Sequence, residues 1–298
     1  MELNLAQIFD SNPALLAGIA GLFGLLIGSF LNVVIYRLPI MLEREWKHAA
    51  WQLLWGSDPA AARETPFNLV VPRSACPRCG TRITALQNVP VISWLALKGA
   101  CAACGARIPP RYPVIEALTG LLTAAVAWRF GFTLDCAAAL LLTWSLLALA
   151  VIDIDTQLLP DTMTLPLLWL GLGFSLINPD PAVFADPRSA IIGALAGYLS
   201  LWCVYQGFRL ATGKEGMGYG DFKLLATLGA WLGWQPLLLI VMLSAGVGLI
   251  AAAGMMVFRA HDRRIPIPFG PYLAIAGFVA MMWGPTLMSA YLSTAGLQ

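Results

Sequence analysis

The residues of this 298-residue chain best suited to chemistry are four cysteines and two aspartates. Cys76-Pro77-Arg78-Cys79-Gly80 and Cys101-Ala102-Ala103-Cys104-Gly105 are two Cys-x-x-Cys knuckles of one shape, with 21 residues between them. A Cys-x-x-Cys turn points both sulfurs at one spot, and the glycine that follows permits the tight backbone turn. Four thiolates together suit Zn²⁺ in a tetrahedron at about 2.3 Å. A closed four-sulfur set leaves no open coordination position, so such a zinc is structural. Two disulfides or a redox pair are the alternatives.

The aspartates stand at the edges of apolar runs. Asp153 ends the run 137–152, inside Ile152-Asp153-Ile154-Asp155-Thr156-Gln157-Leu158-Leu159-Pro160-Asp161, and Asp221 follows Gly218-Tyr219-Gly220. Ionisable groups at membrane depth are costly and mark function by default. Two facing carboxylates share a proton, so that one acts as general base on a water and the other as general acid. Gly218 and Gly220 suit close approach of an extended peptide, and Pro160 and Pro166 break the chain beside Asp153. Helix capping is the competing reading. Asp155 and Asp161 suit it, Asp161 with Thr162 as the N-cap of the span that follows, and Asp221 suits a cap of its own span.

Composition says what surrounds these residues. Hydrophobic residues make up 59% of the chain and charged residues 11%, too few charges to cover a soluble surface. The expected fold is an all-α polytopic membrane protein of about eight transmembrane helices, near 14–36, 113–130, 134–152, 163–178, 188–208, 221–234, 236–258 and 268–290. The sixth is short, bounded by Gly233 and Pro236. The basic residues give the orientation: with the N-terminus outside, 16 of the 18 Lys and Arg fall inside and Arg129 and Arg188 outside. Both aspartates then lie at the cytoplasmic edge of the bilayer, where they can meet. No basic n-region precedes Arg37, so the first apolar run reads as a retained membrane helix.

The stretch 37–112 is too polar to span and ends in Ile108-Pro109-Pro110-Arg111-Tyr112-Pro113, which breaks helix before the second span. The expected organisation is a first transmembrane helix over 1–36, a small zinc-binding cytoplasmic domain over 37–112, and a seven-helix peptidase portion over 113–298. Cytoplasmic thiols stay reduced, which favours zinc over disulfides. Cys136 and Cys203 lie alone in apolar runs and read as packing residues. A net charge of +2 gives no reason to expect nucleic acid, and lipid is the partner that the composition demands.

These residues resemble the type IV prepilin peptidases. Gly28-Ser29-Phe30-Leu31-Asn32 through Pro39 looks like the first-helix signature of that family. Pro72-Arg73-Ser74 through Cys104, with Asn88-Val89-Pro90 and Ser93-Trp94-Leu95, looks like its cytoplasmic domain, and Arg111-Tyr112-Pro113 with Glu116 continues it. The Asp153 block and Gly218-Tyr219-Gly220-Asp221 are similar to its two aspartate motifs. The resemblance implies Asp153 and Asp221 as the catalytic pair, and Gly218 and Gly220 as the glycines of a Gly-x-Gly-Asp peptidase. It also implies prepilin and type II secretion pseudopilin substrates in a bacterial inner membrane, and methylation of the new amino terminus by S-adenosylmethionine. Asn32, Asn88, Lys98 and Glu116 are polar residues near which a methyl-transfer site is imaginable, but none is assigned to it. A proton-coupled transporter, which also uses paired acids and broken helices, is the rival of another class. A scaffold of a secretion machine and a preflagellin-type peptidase without methylation are further alternatives.

Overall fold

The computed structural model describes residues 5–56, 65–178, 183–257 and 268–294. Of the basic residues used to orient the chain, Arg63, Arg259, Arg263 and Arg264 lie outside the described residues. The described residues are helical, with no strand longer than an isolated bridge. They divide into two units, Met1–Phe132 and Thr133–Gln298.

The first unit is built on α1 (Leu5–Ser11), α2 (Pro13–Trp55) and α4 (Arg111–Phe130), with the short α3 (Ile92–Ala96) between the last two. α2, expected to end near residue 36, runs on through Pro39 for 43 residues, about 64 Å at 1.5 Å per residue. Pro39 removes one backbone donor but does not stop the helix. The stop is Gly56, whose φ of +73° is left-handed and whose N–H returns to the Gln52 carbonyl at 2.9 Å. α2 and α4 pack through small residues. A Cβ at Gly24 would fall 2.5 Å from Thr123 Oγ1, and one at Gly28 would fall 2.6 Å from the Glu116 Cα. Such contacts bring helix backbones together where lipid offers no hydrophobic drive. On α2, Leu15, Ile19, Leu22, Leu26 and Phe30 are exposed, a stripe at helical spacing that suits contact with lipid.

The second unit holds α5 (Leu134–Thr156), α6 (Asp161–Ile177), α7 (Pro187–Thr212), α8 (Tyr219–Leu232), α9 (Leu237–Val257) and α10 (Gly270–Thr294). Its centre is α8, where Lys223 is the one residue from Asp221 to Leu232 that is not buried. A helix apolar all round is a buried helix. At 14 residues it rises about 21 Å, short of the roughly 30 Å of a bilayer core. Protein rather than lipid surrounds it, which removes the need to span. α7 approaches it so closely that a Cβ on Gly193 would strike the Gly229 backbone, and one on Gly229 the Gly193 backbone. α6 is joined to it by side chains: Thr227 Oγ1 donates to the Thr164 carbonyl at 3.2 Å and Trp231 Nε1 to the Leu167 carbonyl at 2.8 Å.

Six of the described helices are long and apolar enough to cross a membrane: α2, α4, α5, α7, α9 and α10. α6, with 17 residues, and α8, with 14, fall short of a full span. The structure thus supports six of the about eight expected spans, and α8 misses because it lies inside the bundle.

Candidate active site

Asp153 occupies the last turn of α5. Gln157 then turns left-handed at φ +55° and donates its N–H to the Asp153 carbonyl at 2.9 Å, ending the helix. Asp221 is the third residue of α8, after Gly218 as N-cap. The two carboxylates are 68 positions apart in sequence, are 5% and 6% exposed, and lie within electrostatic reach of each other. One helix ends and the other begins at this point, so both acids project from the same end of the unit.

Their surroundings differ. Asp153 Oδ2 accepts the backbone N–H of Gly270, the first residue of α10, at 3.0 Å. Asp221 Oδ1 is buried with no hydrogen-bond partner. Leu159, in the loop between α5 and α6, closes the floor. A Cβ at Gly220 would lie 2.7 Å from the Leu159 Cβ, and one at Gly270 would lie 3.2 Å from Leu159 Cδ1. The bare face of Gly220 is therefore filled by Leu159. Gly218 keeps open room, its nearest neighbour being Asp221 Oδ2 at 3.8 Å from an added Cβ.

One capping expectation is corrected. Pro160 is the N-cap of α6, and Asp161 is its first helical residue, bonded to Lys223 Nζ at 2.6 Å instead of to its own helix. Asp221 lies beside the amide of Gly218, the N-cap of α8, and takes part in the cap of its own helix. A lysine 62 positions away wins Asp161 because a full charge attracts a carboxylate more strongly than an exposed amide does. Asp155 is exposed. A buried pair of acids with one unpartnered oxygen between them can hold a water and pass protons to and from it, which is the chemistry of acid–base hydrolysis.

The cysteine tetrad forms in the first unit. In each knuckle the glycine is left-handed, at φ +69° for both Gly80 and Gly105, and returns its N–H to the first cysteine at 2.9 Å. Cys76 N–H then bonds the Thr81 carbonyl and Cys101 N–H the Ala106 carbonyl, at 2.9 and 2.8 Å. The four sulfurs lie within 4.8 Å of one another, and Cys76 Sγ and Cys104 Sγ are 3.8 Å apart. A tetrahedral four-sulfur site with sulfurs about 2.3 Å from the metal has edges of about 3.8 Å, so the set is compatible with zinc. That separation is far from the roughly 2.05 Å of a disulfide. The Thr81 side chain and amide beside Cys79 draw its thiol down to about 6, toward the thiolate a metal requires.

The remaining polar residues of this unit hold the chain together. Arg37 is buried and donates to the Asn68 and Pro72 carbonyls at 2.7 and 2.5 Å, over the Phe67 ring. Asn32 Nδ2 donates to the Tyr112 carbonyl at 3.1 Å, and Glu116 Oε2 accepts the Val91 N–H at 2.7 Å. Asn88 closes a short 3₁₀ turn over Leu86–Asn88, and Lys98 is exposed. Sequence reading missed Gly270 and Leu159. The Gly270-Pro271 pair carried a signal, but it marked a helix start and nothing about Asp153.

Residues 22–130 match the bacterial peptidase A24 N-terminal domain, and residues 140–253 match the type IV leader peptidase family. The chain is similar to proteins named prepilin leader peptidase/N-methyltransferase from several bacteria. It is 53% identical to that of Aeromonas hydrophila over 97% of this chain and 98% of that protein. Identity to the Stutzerimonas stutzeri protein is 53%, over 98% and 99% of the two chains, and to the Pseudomonas aeruginosa protein 54%, over 93% of each. No solved structure matches it significantly. Identity of this extent, carried along nearly the whole of both chains, makes this protein a member of the type IV leader peptidase family.

Proposed function

We propose that this protein cleaves the leader from type IV prepilins and type II secretion pseudopilins and then methylates the new amino terminus. The observation that supports the peptidase half is that Asp153 and Asp221 are two buried carboxylates from different helices, within electrostatic reach of each other. One carboxylate takes a proton from water as the water oxygen attacks the scissile carbonyl carbon, and the other gives a proton to the carbonyl oxygen. Collapse of that intermediate expels the amine with a proton, so the net change is water added across one amide bond. Gly218 is the glycine with room beside it for substrate backbone, while Gly220 serves the cleft by seating Leu159.

In the second reaction the freed amine attacks the methyl carbon of S-adenosylmethionine, the carbon–sulfur bond breaks, and the amine loses a proton. The methyl donor is a co-substrate, and no described residue is assigned to it. Cys76, Cys79, Cys101 and Cys104 hold a structural zinc that staples the polar 37–112 domain, between the first membrane helix of 1–36 and the peptidase portion of 113–298. The protein sits in the inner membrane with its N-terminus periplasmic and its zinc domain and aspartates cytoplasmic. The basic residues on one side of the chain support this orientation.

Purified protein in detergent, given a synthetic prepilin with and without S-adenosylmethionine, tests the whole reading by mass spectrometry. The expected products are free leader in both samples and a methyl-sized gain on the mature peptide in one. Intact substrate in both would overturn it.

A further inference from the structure

The two acids are not equivalent, and the difference comes from α10. In the first turn of that helix, Pro271 has no N–H, and the Tyr272 and Leu273 amides turn back to the Phe269 carbonyl at 3.1 and 3.2 Å. The Gly270 amide has no partner within the helix, as the first amides of any helix lack one, and it bonds Asp153 Oδ2 at 3.0 Å. The positive end of the α10 dipole points the same way. Asp221 also has a backbone amide beside its carboxylate, that of Gly218, but its Oδ1 is buried with no partner. A carboxylate with one buried oxygen that no donor reaches is more costly to ionise than one whose buried oxygen is bonded.

We propose that the Gly270 backbone amide is a third fixed part of the site, holding Asp153 as the ionised carboxylate and leaving the shared proton on Asp221. This rests on the reading of the two aspartates as the catalytic pair and assigns their roles. Asp153 is the base: an oxygen of its carboxylate takes the proton from the attacking water. Asp221 is the acid: its carboxyl gives the proton it already carries to the carbonyl oxygen of the scissile bond. Gly270 is a positioning residue, and it has to be glycine. A Cβ there would lie 2.7 Å from Asp153 Oδ2 and 3.2 Å from the Asp153 carboxyl carbon, so any side chain pushes the base off its donor.

Two measurements on full-length protein in detergent test the assignment. The first is the infrared carbonyl band of a protonated carboxyl near neutral pH. It is expected in wild type and in Asp153→Asn, and absent from Asp221→Asn. A band lost in Asp153→Asn and kept in Asp221→Asn, or no band in wild type, overturns the assignment.

The second is the kinetics of Gly270→Ala. kcat is expected to fall roughly 10²-fold, as a misplaced catalytic group does, with KM within about a factor of two. Gly284→Ala, on the same helix with nothing within 4 Å of its added Cβ, is expected to match wild type. A wild-type kcat in Gly270→Ala overturns the proposal. Full recovery in Gly270→Ala with Leu159→Ala also overturns it, because the defect would then be packing against Leu159. The parent reading fails separately: if Asp153→Asn and Asp221→Asn both cleave, the acids are not the catalytic pair, whatever the infrared band shows.

Discussion

Lys223 Nζ donates to both carboxylate oxygens of Asp161, at 2.7 and 2.6 Å, and so ties the first turn of α8 to the start of α6. The same face of α8 continues the tie at Thr227 and Trp231, four residues apart, onto Thr164 and Leu167, three apart. Lys223 opens a ladder that fixes the helix carrying Asp221.

The ion pair is partly solvated, with side-chain exposures of 27% for Lys223 and 52% for Asp161, and pairs of this kind contribute about 1 kcal/mol or less. Asp161→Asn is therefore expected to keep leader cleavage within about threefold of wild type, in sharp contrast to the two buried acids. Cleavage rates of purified variants check this. A complete loss in Asp161→Asn would place it among the reacting groups.

The contact of α7 with α8 gives a second expectation. Gly193→Ala must separate two touching backbones, and overpacking of this type costs about 1–3 kcal/mol. Gly207→Ala on the same helix meets nothing within 4 Å and is expected to be neutral. Thermal unfolding in detergent compares them, and equal midpoints would contradict the packing described.

Much of this site was legible because lipid makes charge conspicuous. Asp153 and Asp221 stood out at the edges of apolar runs, and the cysteine knuckles carry their geometry in their spacing. What joins them was not legible. The bond from Gly270 to Asp153 spans 117 positions, and a backbone amide leaves no mark in a sequence. Leu159 reads as one more apolar residue until Gly220 and Gly270 are seen beside it. Capping rules misplaced Asp161 because a local rule does not know where Lys223 lies. α2 ran past Pro39 because the true stop, Gly56, lay beyond the polar residues that looked like its end. α8 was counted as a span because apolar content does not tell a helix inside a bundle from one facing lipid.

The tetrad is expected to bring about one zinc per chain. Burial and the neighbouring thiols push Cys104 up to about 11, and Cys79 moves the other way. Its thiol is drawn down to about 6 by the Thr81 side chain and amide. Protons compete with the metal for these sulfurs, so zinc is held less tightly as pH falls. Zinc content of dialysed samples is expected to drop as pH is lowered, and residues 65–112 to become protease-sensitive. Cys76→Ser and Cys101→Ser are expected to do the same at neutral pH. Metal-free protein with this segment intact would contradict a structural zinc.

The two activities are expected to separate. Methyl transfer needs no carboxylate dyad, so Asp221→Asn protein given a pre-cleaved peptide and labelled methyl donor is expected to label the peptide. Some substitutions within 37–112 are expected to lose label transfer while keeping cleavage, where the fold survives. Folded Asp221→Asn protein that transfers no label would mean one site serves both reactions.

The most direct test of the central claim is the rate of prepilin cleavage by purified Asp153→Asn and Asp221→Asn proteins. Asparagine keeps the size of each side chain but neither takes a proton from water nor gives one up in the way a carboxyl does. Each variant is predicted to lose cleavage by on the order of 10³-fold or more, while eluting and unfolding like wild type. Cleavage at the wild-type rate by either variant would contradict the account.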